Sequence, residues 1–358
     1  PLPAKHALVA KAKRASFEVG GETVPAGERR TVHLPVAQLY TDEPVLMPVH
    51  VVHGKRDGPT LFVSAAIHGD ELNGIEIVRR LLAWKGLASL RGTLLAVPIV
   101  NVLGVVHKSR NLPDRRDLNR SFPGSEHGSL AARIADRFMT EVVQRSTHGI
   151  DLHTAAIHRS NLPQVRTTLD DPLLAELAVA FGAPVVLDSG LRTGSLRETA
   201  AAHGVKTLLY EAGEALRFDE TCIRIGVRGV IRVMRRLEMV RASRAGAASE
   251  PLTALGSRWV RAGASGIVRP DVRLGQVVTT EQRLGIIANT LGVEQYVLRS
   301  PTDGVVVGQA TLPLLHEGEA VFHIATFARS EALPEPDTII NETGLHDYDL
   351  PYDGPPVD

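Results

Sequence analysis

Apolar and polar positions fall into three rhythms along this chain. Up to about residue 55 they alternate in short runs, Thr31-Val32-His33-Leu34-Pro35-Val36 and then Val45 to Val52, which predicts strands on the rim of a sheet. From residue 60 to about 240, compact apolar runs take turns with amphipathic stretches. The runs predict strands at 61–67, 93–100, 149–153, 184–188 and 205–211. The stretches predict helices at 71–85, 129–146, 172–182, 195–203 and 219–240, the first with Leu72, Ile75, Val78, Leu81 and Leu82 on one stripe. This alternation predicts an α/β fold: a mixed, largely parallel sheet flanked by helices. Ligands of such sheets gather beyond the carboxyl ends of the strands.

The third rhythm begins after a segment at 242–257 whose Ala, Ser, Arg and Pro content reads as a linker. From 258 to 326 short Val/Ile runs are cut by Gly, Pro and Asp, which predicts a small all-β barrel or sandwich. Its paired Gly-Val-Val pattern resembles the biotinyl/lipoyl-type hybrid barrel. Such carriers need a lysine at a hairpin tip, and residues 256–329 contain none. That excludes swinging-arm chemistry and leaves a structural or oligomerisation role. The chain therefore divides into a catalytic region at 1–245, a β-barrel region at 256–326 and an extended tail at 327–358.

Composition narrows the function classes. With 358 residues and 44% hydrophobic content the chain supports a sizeable core. Forty basic residues balance 40 acidic ones, which argues against non-specific attraction to nucleic acid or anionic lipid. The single cysteine, Cys222, excludes an internal disulfide and a thiolate metal cage. No charged-then-apolar leader and no run of the roughly 18 apolar residues that span a bilayer are visible. The expectation is a cytoplasmic protein, homo-oligomeric, without nucleic-acid or membrane partners.

Candidate chemistry sits at the predicted strand ends. Strand 61–67 runs into His68-Gly69-Asp70-Glu71, placing an imidazole and a carboxylate three residues apart across a bend, a zinc half-site. Alone the pair is weak, because His316-Glu317-Gly318-Glu319 repeats it. Strand 149–153 ends in Asp151-Leu152-His153-Thr154, adding a second imidazole at the same rim. A lone histidine there is more often a core residue bonded to a carbonyl, but its coincidence with the first pair favours a ligand. Two histidines and one carboxylate, with a fourth position left to water, suit a hydrolytic zinc site. Asp151 lies on the same face as His153 by its two-residue spacing, as a partner of that ligand.

Strand 205–211 ends in Glu211, a carboxylate after three residues of which two are leucines and one tyrosine. Burying it requires a compensating partner or a chemical role. An arginine would supply the first, and proton transfer in hydrolysis the second. Glu214 lies beyond Gly213 on a turn and is the weaker candidate. The loop Ser109 to Gly124 carries Arg110, Arg115, Arg116 and Arg120, which suit an anionic acyl or amino-acid substrate. Pairing with Asp114 and Asp117 is the plainer explanation of those arginines. Arg197 offers a further anion contact, and Arg159, Arg166, His158 and Asn161 are weaker candidates.

Taken together, Ala66-Ile67-His68-Gly69-Asp70-Glu71, Asp117-Leu118-Asn119-Arg120-Ser121-Phe122-Pro123-Gly124, Asp151-Leu152-His153-Thr154 and Glu211-Ala212-Gly213-Glu214 resemble, in this order, the succinylglutamate desuccinylase/aspartoacylase family, a branch of the zinc carboxypeptidase-like hydrolases. The resemblance spans about residues 45 to 325. It implies one zinc ion on His68, Glu71 and His153, with Glu211 as general base and acid. It further implies Arg110 polarising the scissile carbonyl and Asn119 with Arg120 holding the substrate carboxylate, Arg197 being a looser match to a second substrate arginine. The implied activity is hydrolysis of a small anionic N-acyl amino acid. Deacetylation of an N-acetyl diamino acid, peptide cleavage by a carboxypeptidase and non-catalytic binding remain open alternatives.

Overall fold

The computed structural model describes residues 14–242 and 250–328. A hairpin, β1 (Phe17–Val19) and β2 (Glu22–Val24), leads into β3 (Arg29–Gln38), β4 (Pro44–His53) and β5 (Arg56–Ala65). Then come α1 (Asn73–Ala83), β6 (Arg91–Val97), α2 (Val102–Val106), α3 (Leu130–Phe138), β7 (His148–His153) and β8 (Arg159–Thr167). The alternation closes with α4 (Pro172–Phe181), β9 (Val185–Asp188), α5 (Leu196–Ala202), β10 (Lys206–Gly213) and α6 (Glu220–Arg236). Strands β6, β5, β7 and β10 are parallel neighbours in that order. β4 and β3 extend one side antiparallel, and β8 borders the other, also antiparallel. The sheet is mixed, with a parallel centre.

Each central strand feeds two cores because successive side chains point to opposite faces. Leu61, Val63 and Ala65 of β5 pack with Ile77 of α1, Leu177 of α4 and Ile223 of α6. Phe62 of the same strand packs with Ile134 of α3 and Leu196 of α5. Helix starts are set locally: Ser129, Asp171, Ser195 and Asp219 each accept a hydrogen bond from a backbone N–H of the first turn. The buried stripe of α1 is Gly74, Ile77, Val78 and Leu81, whereas Leu72, Ile75 and Leu82 are only half-buried. Gly74 decides this rotation. A Cβ there would stand 2.7 Å from Ala65 Cβ and 2.9 Å from Leu152 Cβ, so the helix turns its smallest residue to the sheet. The predicted helix 129–146 is α-helical to Phe138 and finishes in a π turn over Met139–Val143.

The remainder is β structure: β11 (Leu252–Ala254), β12 (Gly256–Arg261), β13 (Gly266–Pro270), β14 (Val277–Val278), β15 (Arg283–Ala288), β16 (Gln295–Arg299), β17 (Gly304–Ala310), β18 (Leu314–Leu315) and β19 (Ala320–Thr326). A four-stranded sheet, β16-β15-β13-β18, packs on β12, β14, β17 and β19 around Val268, Ile287, Leu298, Val306, Phe322 and Ile324. These strands are not set apart from the first sheet. β17 pairs with the start of β8, Gly308 opposite Asn161, while β9 pairs with its end. Part of the expected linker, Leu252–Ala254, is itself a strand beside β9; residues 243–249 of that linker and the tail from 329 onward lie outside the described residues. No helix among the described residues is long and apolar enough to cross a membrane.

Candidate active site

The bend after β5 brings the first two donors together. Ala66 adopts a positive φ of 52°, an uncommon conformation for alanine, and turns the chain off the sheet. Gly69 then passes so close to α2 that a Cβ would lie 2.0 Å from the Gly104 carbonyl carbon. The Glu71 N–H closes the turn on the His68 carbonyl at 3.2 Å. His68 Nδ1 and Glu71 Oε1 stand 2.7 Å apart, and His153 Nδ1, at the end of β7, stands 2.8 Å from Glu71 Oε2. All three residues are buried, with their donor atoms within 4.8 Å of one another.

The outer nitrogens of both rings also face carboxylates. His153 Nε2 is 2.7 Å from Asp151 Oδ2, and Asp151 Oδ1 accepts from Ser64 Oγ at 2.8 Å. His68 Nε2 lies 3.2 Å from Asp117 Oδ1. Burial opposes a proton on His153, but Asp151 and Glu71 outweigh it and raise its pKa well above the usual histidine value. Burial likewise opposes charge on Glu71, and the two imidazoles outweigh it, holding that carboxyl below its ordinary range. Such a donor set fits a divalent ion. Two imidazoles and a carboxylate converge, and each ring is oriented from behind by a second carboxylate, as metal-ligating histidines usually are.

The eight residues to which the resemblance gives a role, His68, Glu71, Arg110, Asn119, Arg120, His153, Arg197 and Glu211, line one cavity of about 370 Å³, whereas the weaker candidates His158 and Glu214 do not. Arg110 reaches in from the loop, its Nη1 3.3 Å from Glu71 Oε1 and its Nη2 3.1 Å from Asp117 Oδ2. Asn119 is buried with its Oδ1 accepting from the Leu196 N–H at 2.9 Å, while Arg120 is exposed at the rim. Arg115 and Arg116 of the same loop do not reach the cavity; Arg116 turns to Asp114 at 3.8 Å. Arg197 is buried, and its Nη2 donates to the carbonyls of Ser189 and Gly190, both at 2.7 Å. Its Nη1 has no hydrogen-bond partner among the described residues.

Glu211 stands beside His153 in the parallel register of β10 and β7. Its Oε1 is 3.1 Å from Arg166 Nη1, and Asn161 Nδ2 donates to its Oε2. Thus Glu211 both faces the site and has the arginine partner that burial alone would demand. Glu214 does not line the cavity; it accepts from the His158 N–H at 3.1 Å and pairs with Arg217 at 3.5 Å.

Two groups of residues escaped the sequence reading in whole or in part: Asn161 and Arg166 stood there only as weaker candidates, on a strand that went unread. β8 was not predicted, since Leu162 and Val165 are three apart and Pro163 breaks any alternation; yet it delivers Asn161 and Arg166 to Glu211. The second group comes from the C-terminal β region, expected to be structural, which places Trp259, Arg261 and Ala320 in the cavity wall. The available signal was Trp259-Val260-Arg261, a tryptophan and an arginine on one strand face around a core valine.

A mixed α/β sheet with a buried His-Glu-His donor set and a carboxylate at its strand ends, ringed by arginines from neighbouring elements, lays out a site suited to metal-assisted hydrolysis. The profile of the succinylglutamate desuccinylase/aspartoacylase catalytic domain matches residues 57–237, and the chain belongs to that family of deacylases. N-alpha-acetyl-L-2,4-diaminobutyric acid deacetylase from Halomonas elongata is 28% identical over 300 residues, covering 80% of this chain and 87% of that protein. The product-bound ectoine utilization protein EutE (DoeB) from Ruegeria pomeroyi superposes with a TM-score of 0.76 at 21% identity, covering 84% of this chain and 95% of that one. A succinylglutamate desuccinylase/aspartoacylase from Rhodobacter sphaeroides gives 0.73 at 24% identity, covering 84% and 96%. At those identities the two structures establish the shared fold.

Proposed function

We propose that this chain is a zinc-dependent amidohydrolase that removes the acyl group from a small N-acyl amino acid, with the ion held by His68, Glu71 and His153. Zinc at that position supplies Lewis acidity for a carbonyl and brings the pKa of water down toward about 7. Arg110, fixed beside Glu71 and Asp117, presents a guanidinium to the charge that develops on the carbonyl oxygen. Glu211 takes a proton from the attacking water and returns it to the leaving amine. Asn119, Arg120 and Arg197 hold the substrate carboxylate, and the unpartnered Nη1 of Arg197 supports that role.

The observation that carries this reading is that Glu211 and the three donors line the same small cavity. Its volume of about 370 Å³, and its partial closure by Trp259, Arg261 and Ala320, favour a small amide over a peptide in an open groove. We place the enzyme in the cytoplasm as a homo-oligomer and retain the division at 1–245, 256–326 and 327–358. The deciding experiment is a hydrolysis screen of N-acetyl, N-succinyl and N-formyl amino acids on zinc-loaded protein with chelator controls, repeated on Glu211→Gln. Loss of kcat by a factor of about 10² to 10⁴ at unchanged zinc content is expected. Undiminished hydrolysis by that variant sinks the assignment.

A further inference from the structure

Both oxygens of Glu211 are tied to β8, and β8 is in turn tied to the C-terminal β region. Asn161 Nδ2 donates to Oε2, and Arg166 Nη1 stands 3.1 Å from Oε1. Each of these partners leads back to one of two consecutive residues of β17. Asn161 is the ladder partner of Gly308. Arg166 Nε donates to Gln164 Oε1 at 3.4 Å, and Gln164 Nε2 donates to the Val307 carbonyl at 3.1 Å.

The backbone accounts for this route. One edge of β8 is divided between two strands: β17 covers residues 159–161 and β9 covers residues 164–167. Leu162 and Pro163 fall in the break between them, where proline brings no N–H that would need a partner. The fully buried Gln164 side chain fills the break, donating to the Leu162 carbonyl at 3.3 Å as well as to Val307. On β17 the register with β19 passes from Val306 opposite Ile324 to Gly308 opposite His323 and skips Val307. Such a bulge re-aims the chain, and here the Val307 carbonyl meets Gln164. Gly308 is equally constrained. A Cβ there would stand 3.0 Å from Asn161 Oδ1 and 3.0 Å from His323 Cβ, so a side chain would press on the amide that holds Glu211.

We propose that the C-terminal β region positions the general base: the bulge at Val307 and Gly308 fixes Gln164 and Asn161, and through them and Arg166 both oxygens of Glu211. This rests on the deacylase reading and gives that region a part in the reaction besides closing the cavity. A proton acceptor must be held to within about 0.5 Å of its productive place, and a misplacement of about 1 Å costs on the order of a hundredfold in rate. Gln164 and Gly308 do not line the cavity. They are positioning residues, and they reach the reaction only through Glu211.

The test compares zinc-loaded wild type, Gln164→Met and Gly308→Ala, each as the full chain, on the N-acyl amino acids of the hydrolysis screen. Methionine keeps the length of the glutamine side chain and removes both its donor and its acceptor. A fall in kcat of roughly ten- to a hundredfold is expected in Gln164→Met and of about tenfold in Gly308→Ala, with KM and zinc content unchanged. In the Glu211→Gln background neither substitution should cost anything further, because the carboxylate they place is gone. Crystal structures of the three proteins give a readout without turnover: the Glu211 carboxylate should hold one position in the wild type and be shifted or split by about 0.5 Å or more in the variants. If the wild type hydrolyses none of these amides while Glu211 is displaced in the variants, the deacylase reading ends and the hold on Glu211 stands. An unmoved Glu211 in both variants, an unchanged kcat despite its displacement, or an equal loss of kcat in the Glu211→Gln background overturns the positioning proposal alone.

Discussion

Asp151 provides a sharp quantitative test of the metal centre. Its carboxylate is buried; one oxygen sits 2.7 Å from His153 Nε2 and the other accepts from Ser64 Oγ at 2.8 Å. In Asp151→Asn the side chain keeps its shape. Its amide oxygen still accepts from the ring N–H, and its amide nitrogen can donate to Ser64 Oγ. Only the charge behind the imidazole is lost. Partners of this kind are worth about 10- to 100-fold in metal affinity, and the asparagine belongs at the low end, a tenfold loss or about 1.4 kcal/mol. Asp151→Ala also leaves a buried ring N–H unpaired, a further cost of about 1–3 kcal/mol, and belongs at the high end. Competition for zinc between each variant and a chromogenic chelator at neutral pH measures the loss, with circular dichroism to establish that the fold persists. Wild-type zinc affinity in a folded Asp151→Ala protein refutes the claim that His153 is a ligand held from behind by this carboxylate.

Two further outcomes follow from other parts of the molecule. His323 has a folded-state pKa near 3, below its ordinary 6.5, so its contribution to stability is complete above pH 6.5 and is lost as pH falls toward 3, by up to about 1.4 kcal/mol per pH unit. His323→Phe keeps the stack on Trp259 and should flatten that slope in urea unfolding below pH 6.5; identical slopes would count against a neutral buried imidazole. Gly69→Ala forces a methyl against the Gly104 backbone and should destabilise the protein by roughly 1–3 kcal/mol. It should also depress hydrolysis by displacing the His68 turn, whereas a variant with wild-type Tm and rate shows that the α2 contact yields freely.

The α/β layers were legible because most of their strands are buried on both faces and read as compact apolar runs, which take turns with stretches of helical periodicity. The rotation of α1 was not, since two apolar stripes overlap in it and the choice between them is made by Gly74 meeting Ala65 and Leu152 across a long sequence separation. At the site, the strand-end positions of His68, His153 and Glu211 follow from local pattern, and the structure brings them to one cavity. β8 stayed hidden for a physical reason. Asn161, Gln164 and Arg166 are polar on a strand whose backbone is buried, and each has a partner far along the chain: Glu211 for the first and last, the Val307 carbonyl for the second. Residues that look solvated in isolation become interior only when such partners arrive.

The seam between β8 and β17 has a consequence for how this protein can be shortened. The family profile ends at residue 237, which invites cutting the chain there. A fragment so made would lose the neighbour that Ser160 and Asn161 pair with, and the exposed backbone of that half-strand would be free to recruit a strand from another molecule. It would also unfasten the ribbon on which Asn161 steadies Glu211. The boundary visible to sequence comparison is therefore not a boundary of cooperativity, and the catalytic portion is unsuited to a free-standing existence.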